Sequence, residues 1–197
     1  MLVLTGSLLE LSCRALMARA AWRSFSATPK GAPIERAGTV RCLRWFMYTC
    51  TIPTPIGPLA ICEEDGAIVS IDFTTGEVCP PATPLLAEAA RQLNAYFDGT
   101  LTAFDLPIHL EGTAFRMQCW QALLTIPYGE TISYGEQAKR IGNPKAVRAV
   151  GGANHHNPIS IVVPCHRVVG ADGSLTGYGG GLDKKTWLLN HERSHFK

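Results

Sequence analysis

The chain has 197 residues, 46% apolar and 17% charged, with 19 glycines and 13 prolines. This suits one or two domains with a real core, and it excludes wholesale disorder, a collagen-like repeat and a coiled coil. The net charge of +2 conceals a split, with residues 1–46 at +5, residues 47–113 at −8 and residues 114–197 at +5; a polyanionic partner is expected at the basic C-terminal end.

Residues 1–46 contain Arg and Ser, little acid and much Ala and Leu. They lack the basic start of a secretory signal. They read as an over-extended reading frame upstream of Met47, with a mitochondrial-type transit peptide as the alternative. They are left out of the fold expectation.

Met47–Ile52, Leu59–Cys62 and Ala67–Phe73 read as an antiparallel meander, divided by the turns Pro53–Pro58 and Glu63–Gly66. Pro84 opens a helix to Phe97 with Leu86, Ala89, Ala90, Leu93 and Phe97 on one face. Phe104–Leu110 is expected to be extended. Thr113 caps a helix whose apolar residues are Phe115, Cys119, Leu123 and Ile126, stopped by Pro127-Tyr128-Gly129. Ser133 caps Tyr134–Ile141. After Gly142-Asn143, Pro144 starts Lys145–Asn154, which completes a helix-turn-helix pattern. Ile159–Val163 is an expected buried strand. Val168-Val169 and Leu175–Tyr178 are expected to form a hairpin around Gly170–Gly173. A glycine-rich loop, 177–181, precedes a final helix, Leu182–Arg193, with Trp187 and Leu188 inward.

No apolar run approaches the ~18 residues of a membrane-spanning helix, so no membrane partner is expected. The seven cysteines (13, 42, 50, 62, 79, 119 and 165) are odd in number and contain no CxxC pair. That argues against a secreted disulfide scaffold and for a reduced, cytoplasmic setting. No Cys/His set has zinc-site spacing, so neither metal nor cofactor is expected.

The densest chemistry is Pro164-Cys165-His166-Arg167. A thiol becomes a strong nucleophile when an imidazole takes its proton. Glu192 is the candidate to orient His166, in a Cys–His–Glu relay. Isolated Cys-His pairs are more often structural, because free cysteine is usually buried and inert.

The surrounding motifs weigh against that. Ile126-Pro127-Tyr128-Gly129-Glu130-Thr131, Ser133-Tyr134, Gly142-Asn143-Pro144, Val147-Arg148-Ala149-Val150-Gly151, Asn157-Pro158, Ile161–Val169 and Thr176–Leu182 follow in order at tight spacing. Together they resemble the O6-alkylguanine-DNA alkyltransferases (methylated-DNA–protein-cysteine methyltransferases) of the bacterial Ogt type. The resemblance runs from about Met47 to the C-terminus and is strongest from Phe115 to Glu192.

The resemblance implies an α+β fold. An N-terminal antiparallel sheet with a flanking helix (ribonuclease H-like), residues 47–110, would precede a C-terminal helical domain with a winged helix-turn-helix, residues 111–197. It implies DNA repair by a monomer that transfers an alkyl group from O6 of guanine, and in some cases O4 of thymine, to its own Cys165, once and irreversibly. The partner is double-stranded DNA containing O6-alkylguanine. His166 would take the thiol proton through a water, Glu192 would orient His166, Asn157 would hold the turn, and Tyr134 would donate to the leaving base. Val168 and Gly179 would read the base. Arg148 would replace the flipped-out nucleotide, with Tyr134, Lys145, Ala149, Gly151 and Arg167 along the DNA. The chain departs from the family at His155-His156, before Asn157, where a small residue is usual. A positive φ there would strain His156. Two rival readings remain: a cysteine hydrolase, which would turn over, and a DNA-binding regulator or damage flag without transfer.

Overall fold

The computed structural model describes residues 47–196. The expectations for residues 1–46 fall outside that range. The described residues belong to one compact unit.

Strands β1 (Met47–Ile52), β2 (Leu59–Glu64) and β3 (Ala67–Phe73) form an antiparallel sheet in that order. Glu64 pairs with Ala67, so the β2–β3 turn is the two residues Asp65-Gly66, both at positive φ. Such a turn matches the right-handed twist of the strands it joins, and Asp-Gly tolerates it best. Helix α1 (Pro84–Phe97) packs on this sheet. Thr83 caps it by accepting from Leu86 N, and Pro84 occupies the first turn, where a missing N–H costs nothing. Leu86, Ala89, Ala90, Leu93 and Phe97 are buried together with Gln92 and Tyr96. The 104–110 segment is extended but makes only a single bridge, Ile108 to Ile68. Pro107 has no N–H with which to lengthen the ladder.

Helix α2 (Ala114–Leu123) is capped by Thr113, and helix α3 (Tyr134–Arg140) by Ser133. Helix α4 (Val147–His155) starts two residues later than expected; Pro144 and Lys145 lie in the preceding turn. Cys119, Ala138, Val150 and Ala153 form a small core that joins the three helices. A reciprocal amide pair, Gln137 with Asn154 (3.1 and 2.8 Å), sits beside it, and Trp120 Nε1 donates to Ala153 O at 2.9 Å.

Two expected elements differ. Ile159–Val163 is not a strand. It is a buried turn that touches β3 through a bridge: Ile71 N donates to Pro158 O and Ser160 N donates to Ile71 O, each at 2.9 Å. Ile161 sits at φ 74, a left-handed conformation that breaks any strand. The hairpin after Val169 is also absent. Its turn exists, with Gly170 N donating to Ser174 O, but residues 174–178 form no strand. Instead β5 (Val168–Val169) pairs in parallel with β4 (Ile132–Ser133). Helix α5 (Leu182–His195) closes the described chain, with Leu188 fully buried and Trp187 stacked on His191.

Ile71 is fully buried where the sheet meets the 157–163 turn. Ile71→Ala is expected to cost about 2–5 kcal/mol of unfolding free energy, measured by urea denaturation, through lost burial and the cavity left behind.

Candidate active site

The site is built around one carboxylate. Glu192 is 1% exposed on α5. Its oxygens accept from His166 Nε2 (2.8 Å), Arg167 Nε (2.9 Å) and Nη2 (3.0 Å), Tyr96 OH (2.8 Å) and Gly129 N (3.0 Å). Burial alone would raise this carboxyl. Hydrogen bonds from His166 and Arg167, with the Arg167 charge, outweigh burial and hold it far below the ordinary carboxylate range. Burial and the Glu192 charge push the Tyr96 phenol up, so it stays a donor.

Cys165, His166 and Arg167 form one 3-10 turn. His166 is fully buried, and burial lowers its basicity despite the opposing pull of Glu192. A neutral imidazole facing a carboxylate carries its proton on Nε2. Nδ1 is then a lone pair, and it is buried with no partner among the described residues. Cys165 Sγ accepts from Asn157 Nδ2 at 3.2 Å. The same amide group donates to Val163 O at 2.8 Å, while Asn157 Oδ1 accepts from Ile159 N at 3.1 Å. One side chain thus ties both ends of the 157–165 turn to the thiol. Burial raises the thiol pKa, opposed by Asn157 and by the charge of Lys185. The resting group is a thiol that must hand off its proton to react.

Lys185 is a residue that the sequence reading misses. It is fully buried and makes no carboxylate pair among the described residues. Its Nζ donates to Val168 O (2.6 Å) and Thr176 O (3.1 Å), with Gly177 O and Tyr134 OH at 3.5 Å. Its signal was its spacing, three residues before Leu188 and seven before Glu192 on the inward face of α5. Tyr134 OH donates to Thr176 O at 2.7 Å. Beside the thiol lies a cavity of about 210 Å³ lined by Asp72, Asn154, His155, Asn157, Ser160, Cys165, Tyr178 and Gly179. Gly179 lines this cavity, whereas Val168 meets the site through its carbonyl on Lys185.

The residues assigned to DNA divide. Lys145, Arg148 and Ala149 are exposed in or just before α4. Gly151 is half-buried, and a Cβ there would touch the Tyr134 ring at 3.8 Å. Arg167 does not belong with them. It is 6% exposed, clamps Glu192 and donates through Nη1 to Ile126 O at 2.6 Å, so it has no reach to a surface. His156 is not strained: its φ is −99°, and its Nδ1 lies 2.7 Å from Gly152 O.

Comparison with known proteins fits this geometry. Residues 47–110 match the 6-O-methylguanine DNA methyltransferase ribonuclease-like domain, and residues 114–194 match the DNA binding domain of the same family. The methylated-DNA–protein-cysteine methyltransferase of Mycobacterium tuberculosis is 51% identical over 150 residues, covering 73% of this chain and 91% of that protein. The crystal structure of M. tuberculosis O6-methylguanine methyltransferase superposes with a TM-score of 0.70 at 49% identity, over 77% of this chain and 96% of that one. The crystal structure of M. tuberculosis OGT in complex with DNA gives 0.69 at 51% identity, over 74% and 92%.

The network fixes a pH dependence. Because the folded His166 is less basic than in an unfolded chain, its contribution is fully present above about pH 6.5 and is lost as pH falls. Glu192, held low, adds a further loss below about pH 4.3. Unfolding free energy is expected to level off above neutrality and decline from about pH 6.5 downward in urea titrations. At neutral pH, Arg167→Ala should cost about 3–5 kcal/mol by stranding a buried charge.

Proposed function

Because the chain belongs to the methylated-DNA–protein-cysteine methyltransferases, whose reaction repairs DNA by moving an alkyl group onto a cysteine of the protein, we propose that Cys165 is the acceptor and that the substrate is O6-alkylguanine in a duplex. The observation that carries this is the thiol's setting: a buried Cys165 opening on a cavity, held by Asn157 and followed by a His166 whose tautomer Glu192 fixes.

The thiol proton passes through a water to His166 Nδ1. The thiolate is stabilised by Lys185 and Asn157. Sulfur attacks the carbon on O6, the S–C bond forms and the C–O6 bond breaks, and the electron pair stays on guanine. Tyr134 donates its hydroxyl hydrogen to the base as that charge develops, exchanging Thr176 O for the substrate. The proton held by His166 replaces it, so the thiol proton ends on guanine. Lys185 is a positioning residue, holding Tyr134 and the 168–177 backbone. The resulting thioether is not reversed by thiol exchange, so each molecule acts once. Val168 and Gly179 frame the base with their backbones.

The reacting atom lies inside the stack, so the nucleotide must flip out. Arg148 fills the gap, and Lys145, Ala149 and Gly151 lie along the minor groove. We assign residues 47–110 to a supporting domain and 111–197 to the DNA-binding and acceptor domain. We read the protein as a monomer. Among the described residues no helix is long and apolar enough to cross a membrane, and the five described cysteines are free; both suit the cytoplasm.

Intact-mass measurement after mixing with duplex O6-methylguanine DNA is expected to show a gain of about 14 Da, mapped to the Cys165 peptide, once per molecule. Repeated turnover, or label elsewhere with Cys165 unmodified, would refute the assignment. Arg148→Ala is expected to slow repair of a paired lesion at least about tenfold while changing reaction with free O6-benzylguanine little, because only the duplex needs flipping. Equal losses would remove Arg148 from that role.

A further inference from the structure

The acceptor cavity is not built by the C-terminal half alone. Asp72, in β3, lines it together with Cys165, Ser160, Tyr178 and Gly179. The fold dictates this position. Ile71 bridges to the 157–163 turn through two backbone hydrogen bonds and buries its side chain. Strand alternation then sends the next side chain to the opposite face, and Asp72 is exposed. Phe73 N donates to Asp72 Oδ1 at 2.8 Å, which pins the carboxylate. Asp72 makes no ion pair among the described residues, and its charge opposes ionisation of both Cys165 and Tyr178.

In an in-line displacement, the carbon on O6 must touch Sγ. Anything that carbon carries beyond a hydrogen therefore lies in the same small cavity, beside Asp72. The other polar lining side chains are His155, the amides of Asn154 and Asn157 and the hydroxyls of Ser160 and Tyr178, so Asp72 is the one carboxylate of the lining, while the Lys185 ammonium is held outside it on the carbonyls of Val168 and Thr176.

We propose that Asp72 is a specificity-determining residue that selects O6 substituents by charge, admitting neutral groups and rejecting anionic ones of the same shape. The proposal rests on Cys165 being the acceptor.

The test compares two duplex lesions of matched shape, O6-carbamoylmethylguanine (neutral) and O6-carboxymethylguanine (anionic), in single-turnover transfer to Cys165 followed by mass spectrometry. The readout is the neutral-to-anionic rate ratio within each protein, which cancels general effects of a substitution. In Asp72→Asn the ratio is expected to fall about tenfold from the wild-type value, the size of one charge contact at the edge of a solvated cavity. In Asp72→Glu it is expected to stay within about twofold of wild type, since the charge is kept. An unchanged ratio in Asp72→Asn, or an equal fall in Asp72→Glu, overturns the proposal while leaving the acceptor reading intact. Absence of methyl transfer from O6-methylguanine to wild-type Cys165 overturns both.

Discussion

A single buried carboxylate organises this protein. Desolvating Glu192 is costly unless its lone pairs are filled, and four donor residues from three separate parts of the chain fill them: Tyr96 on α1, Gly129 in the loop after α2, His166 and Arg167 in the 3-10 turn. Each donor is in turn held by its own element. The carboxylate therefore fastens the sheet-packed helix α1, the loop ahead of the helix-turn-helix and the Cys165–Arg167 turn to α5 at one point. Chemistry and architecture share this hub, since the group that sets the imidazole tautomer also draws the supporting elements together.

The second dependency is the seam between β3 and the 157–163 turn. This turn carries a β-branched residue, Ile161, in a left-handed conformation, which is unfavourable by about 1–3 kcal/mol on its own. Three things over-determine it: the Ile71 bridge from one side, the Asn157 side chain from the other, and burial of Ile159, Ile161 and Val163. The thiol sits at the end of this constrained segment. The sheet thus acts as a backing plate for the Cys165 turn, although it carries neither Cys165 nor the helix pair α3 and α4.

Elements governed by local chemistry were legible from the sequence. Thr113 and Ser133 announced helix starts, Pro84 opened α1 and the Glu63–Gly66 turn closed a hairpin, although β2 runs on to Glu64 and leaves only Asp65-Gly66 in the turn. Elements governed by distant partners were not. An apolar run such as Ile159–Val163 reads alike as a strand or as a buried turn, and only the edge of β3 decides between them. Arg167 was misplaced for a geometric reason. In a 3-10 turn successive side chains diverge by about 120°, so adjacency to Cys165 does not give Arg167 the same surroundings. Lys185 was marked only by its helical spacing to Leu188 and Glu192, and Asp72 by nothing near it in the chain; the fold brings them to the thiol from α5 and from β3.

The reciprocal amide pair of Gln137 and Asn154 ties α3 to α4, and Ala138, Val150 and Ala153 leave no slack between them. Tyr134 begins the first of these helices and Arg148 lies at the start of the second. The backbones that carry these two side chains therefore keep a set separation, like the mounts of two prongs in a plug. On the proposed reading, in which both side chains meet nucleic acid, seating one leaves the other near its place, with less search over relative orientations. The helix pair then works as a gauge of fixed span, and part of the entropy of aligning both contacts is lost when the protein folds, before any encounter with DNA.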